Sequence, residues 1–206
     1  MKTIQLRLTA LLSFCFLITL LSCSDEADYG LTPKISQVES IVDPSEQKTA
    51  FIETLSYDEK LLIFRRRIER KLSTVSLSAD QKQHLQRLID NVTTDIYDPA
   101  SARRKDQLNF LKQWTEAGKI VFGNDLLFDL VGSLTSDQAK AQLEANAKRL
   151  AGARPAATCN CSYASNYCSG NASCSAIASC NGSGCGTLWL YTCDGSCSLP
   201  NLRGRM

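Results

Sequence analysis

The sequence predicts a mainly α protein: a helical bundle followed by a small disulfide-rich C-terminal module with a β-hairpin. Three observations carry that expectation. Helix-start signals recur between Asp43 and Gly152, and the apolar residues between them fall three and four apart. Eight of the 10 cysteines crowd into Cys159–Cys197, a density that belongs to folds too small to bury a stabilising core. A run of small residues broken by Pro155 separates the two parts. The expected divisions are a leader at 1–22, a tether at 23–42, a helical domain at 43–152, a linker at 153–158 and the cysteine module at 159–206.

The N-terminus reads as an export signal. Lys2 and Arg7 precede Leu8–Leu21, an apolar run of 14 residues. That run is too short to span a bilayer comfortably and suits the core of a signal peptide. It ends Leu20-Leu21-Ser22-Cys23, which resembles the lipobox of bacterial lipoproteins. The resemblance implies that Cys23 is acylated, becomes the first mature residue and holds the chain on a membrane. Ser24-Asp25-Glu26 resembles the acidic tag of surface-exposed lipoproteins in Bacteroidetes, implying an outer-membrane or cell-surface location. Asp25–Val42 carries Gly30, Pro33 and scattered polar residues without a sustained period, and is expected to be a mostly extended tether.

Helix starts follow in order. Asp43-Pro44-Ser45-Glu46 supplies an N-cap, a proline at the first helical position and an acid in the first turn. Ser56–Glu59, Ser78–Gln81 and Thr135–Gln138 are capping boxes, and Asp98-Pro99 and Asn124-Asp125 are further cap-like starts. Leu61, Leu62, Phe64, Ile68 and Leu72 share one broad face; Leu85, Leu88, Ile89 and Val92 form a second stripe; Leu108, Leu111 and Trp114 form a third. About six helices are expected, packed on one core. Arg65, Arg66, Arg67, Arg70 and Lys71 form the strongest basic cluster, expected as a solvated face paired with Asp58, Glu59 and Glu69. His84, the single histidine, is expected to be structural.

The linker at Arg154–Thr158 bears a candidate processing site at Arg154 and Ala157, because exposed small-residue linkers are favoured places for proteolytic cutting. Beyond it, Cys159, Cys161, Cys168, Cys174, Cys180, Cys185, Cys193 and Cys197 are expected to form up to four disulfides. Cys159 and Cys161 are too close to pair with each other, and the remaining connectivities stay open. The module has no C-x-x-C pair and no histidine, which argues against structural zinc and against a thioredoxin-like thiol pair. Thr187–Cys193 reads as a strand, Asp194-Gly195 as a tight turn, and Ser196–Leu199 as the returning strand. Leu188, Trp189, Leu190 and Tyr191 are the contact candidates. One face of them forms an exposed apolar patch for a membrane or partner, or else Trp189 and the leucines dock on the helices or fill the module's small core.

The opening Cys159-x-Cys161-Ser162, then Ser165-x-Tyr167-Cys168, then Gly184-Cys185-Gly186-Thr187-x-Trp189 resemble the fulvocin C-related bacteriocin family. The resemblance covers under a quarter of the chain. It implies a disulfide-bonded antibacterial peptide as C-terminal domain or product, acting at a target-cell envelope. A diffusible bacteriocin needs neither a lipobox nor a long helical region, so the resemblance speaks more for the module's fold than for killing.

Composition narrows the function classes. The chain holds 23 Lys+Arg against 21 Asp+Glu, and the leader contains two of the basic residues, so no basic excess favours nucleic acid. No Gly-rich phosphate loop, G-x-S-x-G elbow or H-E-x-x-H occurs. The expectation is a non-enzymatic exported lipoprotein that uses no cofactor or metal. It presents a bacteriocin-like module, with extracellular release of that module by proteolysis. The alternative is a surface-anchored binding or structural lipoprotein whose cysteine module is a recognition scaffold.

Overall fold

The computed structural model describes residues 32–135, 159–168, 170 and 172–198. The leader, Cys23, the Thr135–Gln138 helix start beyond its first residue, the linker with Arg154 and Ala157, and the last eight residues lie outside the described residues. Six α-helices come first: α1 (Pro33–Ser40), α2 (Pro44–Thr54), α3 (Tyr57–Thr74), α4 (Ala79–Asn91), α5 (Arg104–Phe122) and α6 (Asn124–Val131). Four short strands follow in the module: β1 (Ser173–Ala176), β2 (Gly182–Cys185), β3 (Tyr191–Cys193) and β4 (Gly195–Ser198).

Helix α1 corrects the expected extended tether. Thr32 caps it with Pro33 at the first helical position, and Ile35 and Val38, three apart, are buried. Two turns are too few for a period to show in the sequence, yet one apolar pair suffices when a neighbouring helix covers it. The Thr32 hydroxyl also donates to Glu59 Oε1 at 2.7 Å, tying α1 to the start of α3. Gln47 of α2 donates from Nε2 to the Val38 carbonyl at 3.1 Å, reaching the last turn of α1.

The other starts follow local chemistry more closely. The Asp43 carboxylate accepts from the backbone N–H of Ser45 and Glu46. Ser56 with Glu59, and Ser78 with Gln81, close both halves of a capping box. Asp98-Pro99 does not begin a helix: Asp98 Oδ1 accepts from the Ala100 N–H, closing a local turn, and α5 begins at Arg104 without a side-chain cap. Asp98 thereby satisfies a turn rather than a helix end. Helix α6 starts after Gly123, while the Asn124 amide points elsewhere and donates to the Cys168 carbonyl at 3.0 Å.

Leu61, Phe64, Ile68, Leu85, Leu88, Val92, Leu111 and Trp114 are all buried, joined by Phe51, Ile63, Leu127 and Leu130. The basic cluster on α3 is not a solvated face. Arg67 is buried and donates to the Asp129 carbonyl at 2.9 Å and the Thr135 carbonyl at 3.3 Å, within and beyond the end of α6 respectively. It also pairs with the Asp129 carboxylate at 3.3 Å, which Lys71 shares at 3.1 Å. Arg65 donates to the carbonyls of Ile89 and Val92 at the end of α4. Arg70 reaches Glu39 of α1 at 3.7 Å. A guanidinium suits helix C-termini because it offers several donors and a positive charge to the last free carbonyls. Leaving such a buried carbonyl without its donor costs about 1–3 kcal/mol.

In the module, β1 pairs with β4 and β2 with β3, both antiparallel. The hairpin of the fold class is β2–β3, not the expected pairing of Thr187–Cys193 with Ser196–Leu199. Asp194 alone separates β3 from β4, and Gly195 lies between two chain segments. Its N–H donates to the Cys161 carbonyl at 3.3 Å, and it faces Ala176 of β1. A Cβ on Gly195 would stand 2.5 Å from the Ser175 carbonyl oxygen, so this close approach requires glycine. Four disulfides join Cys159 to Cys180, Cys161 to Cys174, Cys168 to Cys197 and Cys185 to Cys193. Cys159 and Cys161 reach different partners.

His84 is an internal strut. Its ring stacks on Trp114 at 4.6 Å, Nε2 meets the Trp114 carbonyl at 3.0 Å, and Trp114 Nε1 donates to the His84 carbonyl at 2.8 Å. Burial holds its pKa below the usual imidazole value; the Trp114 carbonyl opposes this and Arg87 adds to it. The unfolded chain therefore takes up a proton more readily than the folded one. Stability attributable to His84 is present above the ordinary histidine range and is lost as pH falls through it. Urea midpoints measured from about pH 7 down to pH 5 should decline more steeply for the native chain than for His84→Gln. The single imidazole's NMR titration should show the lowered pKa directly.

Candidate functional site

Of the sequence's contact candidates, Leu188, Trp189 and Leu190 lie in the loop between β2 and β3 and Tyr191 opens β3; the loop is stapled by Cys185–Cys193 across a separation of 8 residues. Of the expected strand Thr187–Cys193, only Tyr191–Cys193 forms. Gly186, Leu188 and Trp189 all have positive φ, at 69°, 54° and 55°, and Thr187–Trp189 is a 3-10 turn. Positive φ is uncommon for residues with a Cβ and is held only where surrounding structure enforces it. Its consequence is directional. Alternating exposure is abolished, so the consecutive residues Leu188 and Trp189 are both buried, 1% and 4% exposed. Leu190 and Tyr191 are half-buried.

The helices provide the seat. Trp189 meets Phe51 of α2 edge-on at 5.2 Å and Phe64 of α3 at 6.0 Å, and its indole N–H donates to the Gly132 carbonyl at 2.9 Å. Lys48 of α2 stands over the same ring, with Nζ 5.9 Å from its centre and 3.8 Å from Cys185 Sγ. Burial lowers the Lys48 pKa. Tyr97 donates its hydroxyl to the Leu188 carbonyl at 3.0 Å, and burial pushes that phenol's pKa well above its ordinary value. The void beside Leu188, lined also by Leu61, Phe64, Ile68 and Leu88, is only about 10 Å³, room for no more than one water.

Beside the aromatic seat is a buried hydroxyl hub. Thr187 Oγ1 lies 2.8 Å from Thr115 Oγ1 of α5, 3.0 Å from Ser165 Oγ and 2.5 Å from the Tyr167 hydroxyl. One hydroxyl can donate once and accept twice, so three partners satisfy Thr187 fully. Burial pushes the Tyr167 phenol up to about 12, against the lowering effect of the hydrogen bonds from Thr187, Thr115 and Ser165. Gly186 makes this approach feasible: a Cβ there would stand 2.5 Å from Ser165 Cβ.

An open groove of about 750 Å³ runs along the same junction. Ser45, Lys48, Thr49, Ile52 and Glu53 of α2 form one wall; Asn160, Ser179, Asn181 and Ser183 of the module face them. Its size is that of a small-ligand or peptide site, and its lining sets hydroxyls, amides, Lys48 and Glu53 into a largely apolar surface that includes Pro44 and Ile52. The groove was not visible in the sequence because its walls are more than 100 residues apart.

Among the sequence-identified residues, all eight module cysteines are paired. The sulfurs of Cys161, Cys168 and Cys197 lie within 4.8 Å of one another, but each is held in a disulfide and is no thiolate ligand. Leu188 and Trp189 form no exposed patch; they dock on the helices. Cys23, Arg154 and Ala157 lie outside the described residues. The helix-side partners Lys48, Tyr97, Thr115 and Gly132 were not singled out by sequence reasoning. Thr115 alone left a trace, as a polar residue next to Trp114 in the apolar part of α5.

Four disulfides in so small a module point to an oxidising, extracytoplasmic compartment. No helix among the described residues is long and apolar enough to cross a membrane. Comparison with protein-family models, with curated proteins and with solved structures found no match for this chain.

Replacing Thr187 with valine keeps the branched shape and removes the hub. The hydroxyls of Thr115, Ser165 and Tyr167 then lose their common partner, and the urea-derived stability should fall by about 1–3 kcal/mol.

Proposed function

We propose that this chain is an exported, lipid-anchored recognition protein in which the cysteine module works seated on the helical region. The observation that carries this reading is the burial of Leu188 and Trp189 in the helical core. Residues that a free peptide would turn toward a target are here part of the fold. Among the described residues, a surface open for recognition is the groove of mixed polar and apolar lining between α2 and the module. The bridges on its module side, Cys159–Cys180 and Cys185–Cys193, hold that wall in place. The Leu20-Leu21-Ser22-Cys23 sequence supports attachment to a membrane through acylated Cys23, on the bacterial outer membrane or cell surface. This reading requires no cofactor.

Fractionation tests it. Mass spectrometry should find the intact chain, acylated at Cys23, in membranes, and Cys23→Ala should move it to the soluble fraction. A free C-terminal fragment accumulating in the medium would overturn the seated, anchored reading.

A second reading has its own support in the residues shared with fulvocin C-related bacteriocins, from Cys159-x-Cys161-Ser162 to Gly184-Cys185-Gly186-Thr187-x-Trp189. In it, cleavage near Arg154–Ala157 frees an antibacterial module that acts on a target-cell envelope through Leu188, Trp189, Leu190 and Tyr191. A synthetic 158–206 peptide, oxidised to four bridges, should then inhibit related bacteria or permeabilise lipid vesicles. Inactivity in both assays, with the native bridges confirmed, would sink this reading.

A further inference from the structure

We propose that the helical region is a masking receptor for the cysteine module, and that cutting the chain between them leaves the two pieces bound. The inference rests on the junction itself and not on either functional reading. No described disulfide crosses the junction, since all four lie within Cys159–Cys197. Among the described residues, the two parts are held by noncovalent contacts: packing, hydrogen bonds and the Lys48 cation over the Trp189 ring.

Those contacts have the character of a specific interface. A buried aromatic anchor, Trp189, fills a seat made by Phe51 and Phe64, and large anchors in desolvated seats dominate binding energy. Among the described residues, the hydrogen bonds that cross the junction include Tyr97 hydroxyl to the Leu188 carbonyl, Trp189 Nε1 to the Gly132 carbonyl, Thr115 with Thr187, and Asn124 Nδ2 to the Cys168 carbonyl. They come from separate elements of the helical region and converge on the module, so losing any one leaves the others in register. On the module side, the Cys185–Cys193 staple and the left-handed backbone at Leu188 and Trp189 preset the inserted loop. Preorganisation of this kind lowers the ordering cost of association.

The consequence is a two-step release. A cut removes only the tether that keeps the local concentration of the module high; the loop bearing Leu188 and Trp189 stays covered until the module is drawn out. The helical region thereby acts as a built-in antagonist of whatever the loop would touch.

The test uses the full chain with a specific protease recognition sequence inserted after Arg154. After complete cutting, shown on a denaturing non-reducing gel, the two fragments should co-elute in native size-exclusion chromatography at micromolar concentration. Trp189 emission should stay as in the uncut protein. Tyr97→Phe, which keeps the ring and removes the donor, should speed dissociation about tenfold, the shift expected when a buried carbonyl loses its partner. Separation of the native-sequence fragments on cutting, with the module still holding four bridges by mass, would overturn the proposal. So would co-elution indifferent to both Tyr97→Phe and Thr115→Val, since the contact would then lie elsewhere.

Discussion

The insertion of Trp189 between Phe51 and Phe64 is the constraint on which the rest of the architecture depends. A module of four short strands has too little apolar surface to bury its own largest side chains, even with disulfides restricting the unfolded chain. It therefore places Leu188 and Trp189 in the core of the helical region, which in turn lacks a filled centre without them. Edge-to-face geometry with both phenylalanines, the indole hydrogen bond to Gly132 and the cation of Lys48 over the ring define one orientation. The helical region and the module accordingly share a core and belong to one compact unit beginning at Thr32. Carrier and cargo are structurally one body.

Polar groups around that core follow the same economy. Helix α3 carries the cations that close its neighbours: Arg65 at the end of α4, Arg67 at the end of α6, and Arg70 toward α1. Each engages carbonyls or a carboxylate on an adjacent element, so the orientation of α3 is specified by directional bonds as well as by its apolar face. The Thr187 hub does the equivalent at the junction, where unpartnered hydroxyls would oppose burial. Local ionic strength should matter little to the covered contacts of Arg67 and of the Thr187 hub, in contrast to the exposed pairs of Arg70 with Glu39, Lys119 with Glu116 and Arg103 with Asp95.

Much of the helical region could be read directly. Ser56, Ser78 and Asp43 announce their helices because a capping side chain acts within three residues of its target, and the stripes on α3, α4 and α5 bury most of the residues their spacing marks, with Leu62, Leu72, Ile89 and Leu108 only partly covered. Helix α1 escaped because it is two turns long and is supported mainly by its neighbours. Asp98 and Asn124 looked like caps because a short polar side chain serves a turn, a cap or a distant carbonyl equally well. The basic cluster looked solvated because sequence spacing pairs it with nearby acids, whereas its partners lie on helices that are adjacent only after folding.

The candidate site was legible in its parts and not in its assembly. Leu188, Trp189, Leu190 and Tyr191 stood out by composition, but a strand pattern assigns alternate faces, and the positive-φ backbone at Gly186, Leu188 and Trp189 sends neighbours to the same side. By itself the sequence determined the compartment logic, the mainly α region and the need for disulfides, since these rest on composition and on interactions a few residues long. Only the tertiary structure decided the disulfide pairing, the burial of the Trp189 loop and the groove beside Lys48. Each of these joins residues far apart in the chain, and packing against a partner surface, not local preference, sets which face is hidden.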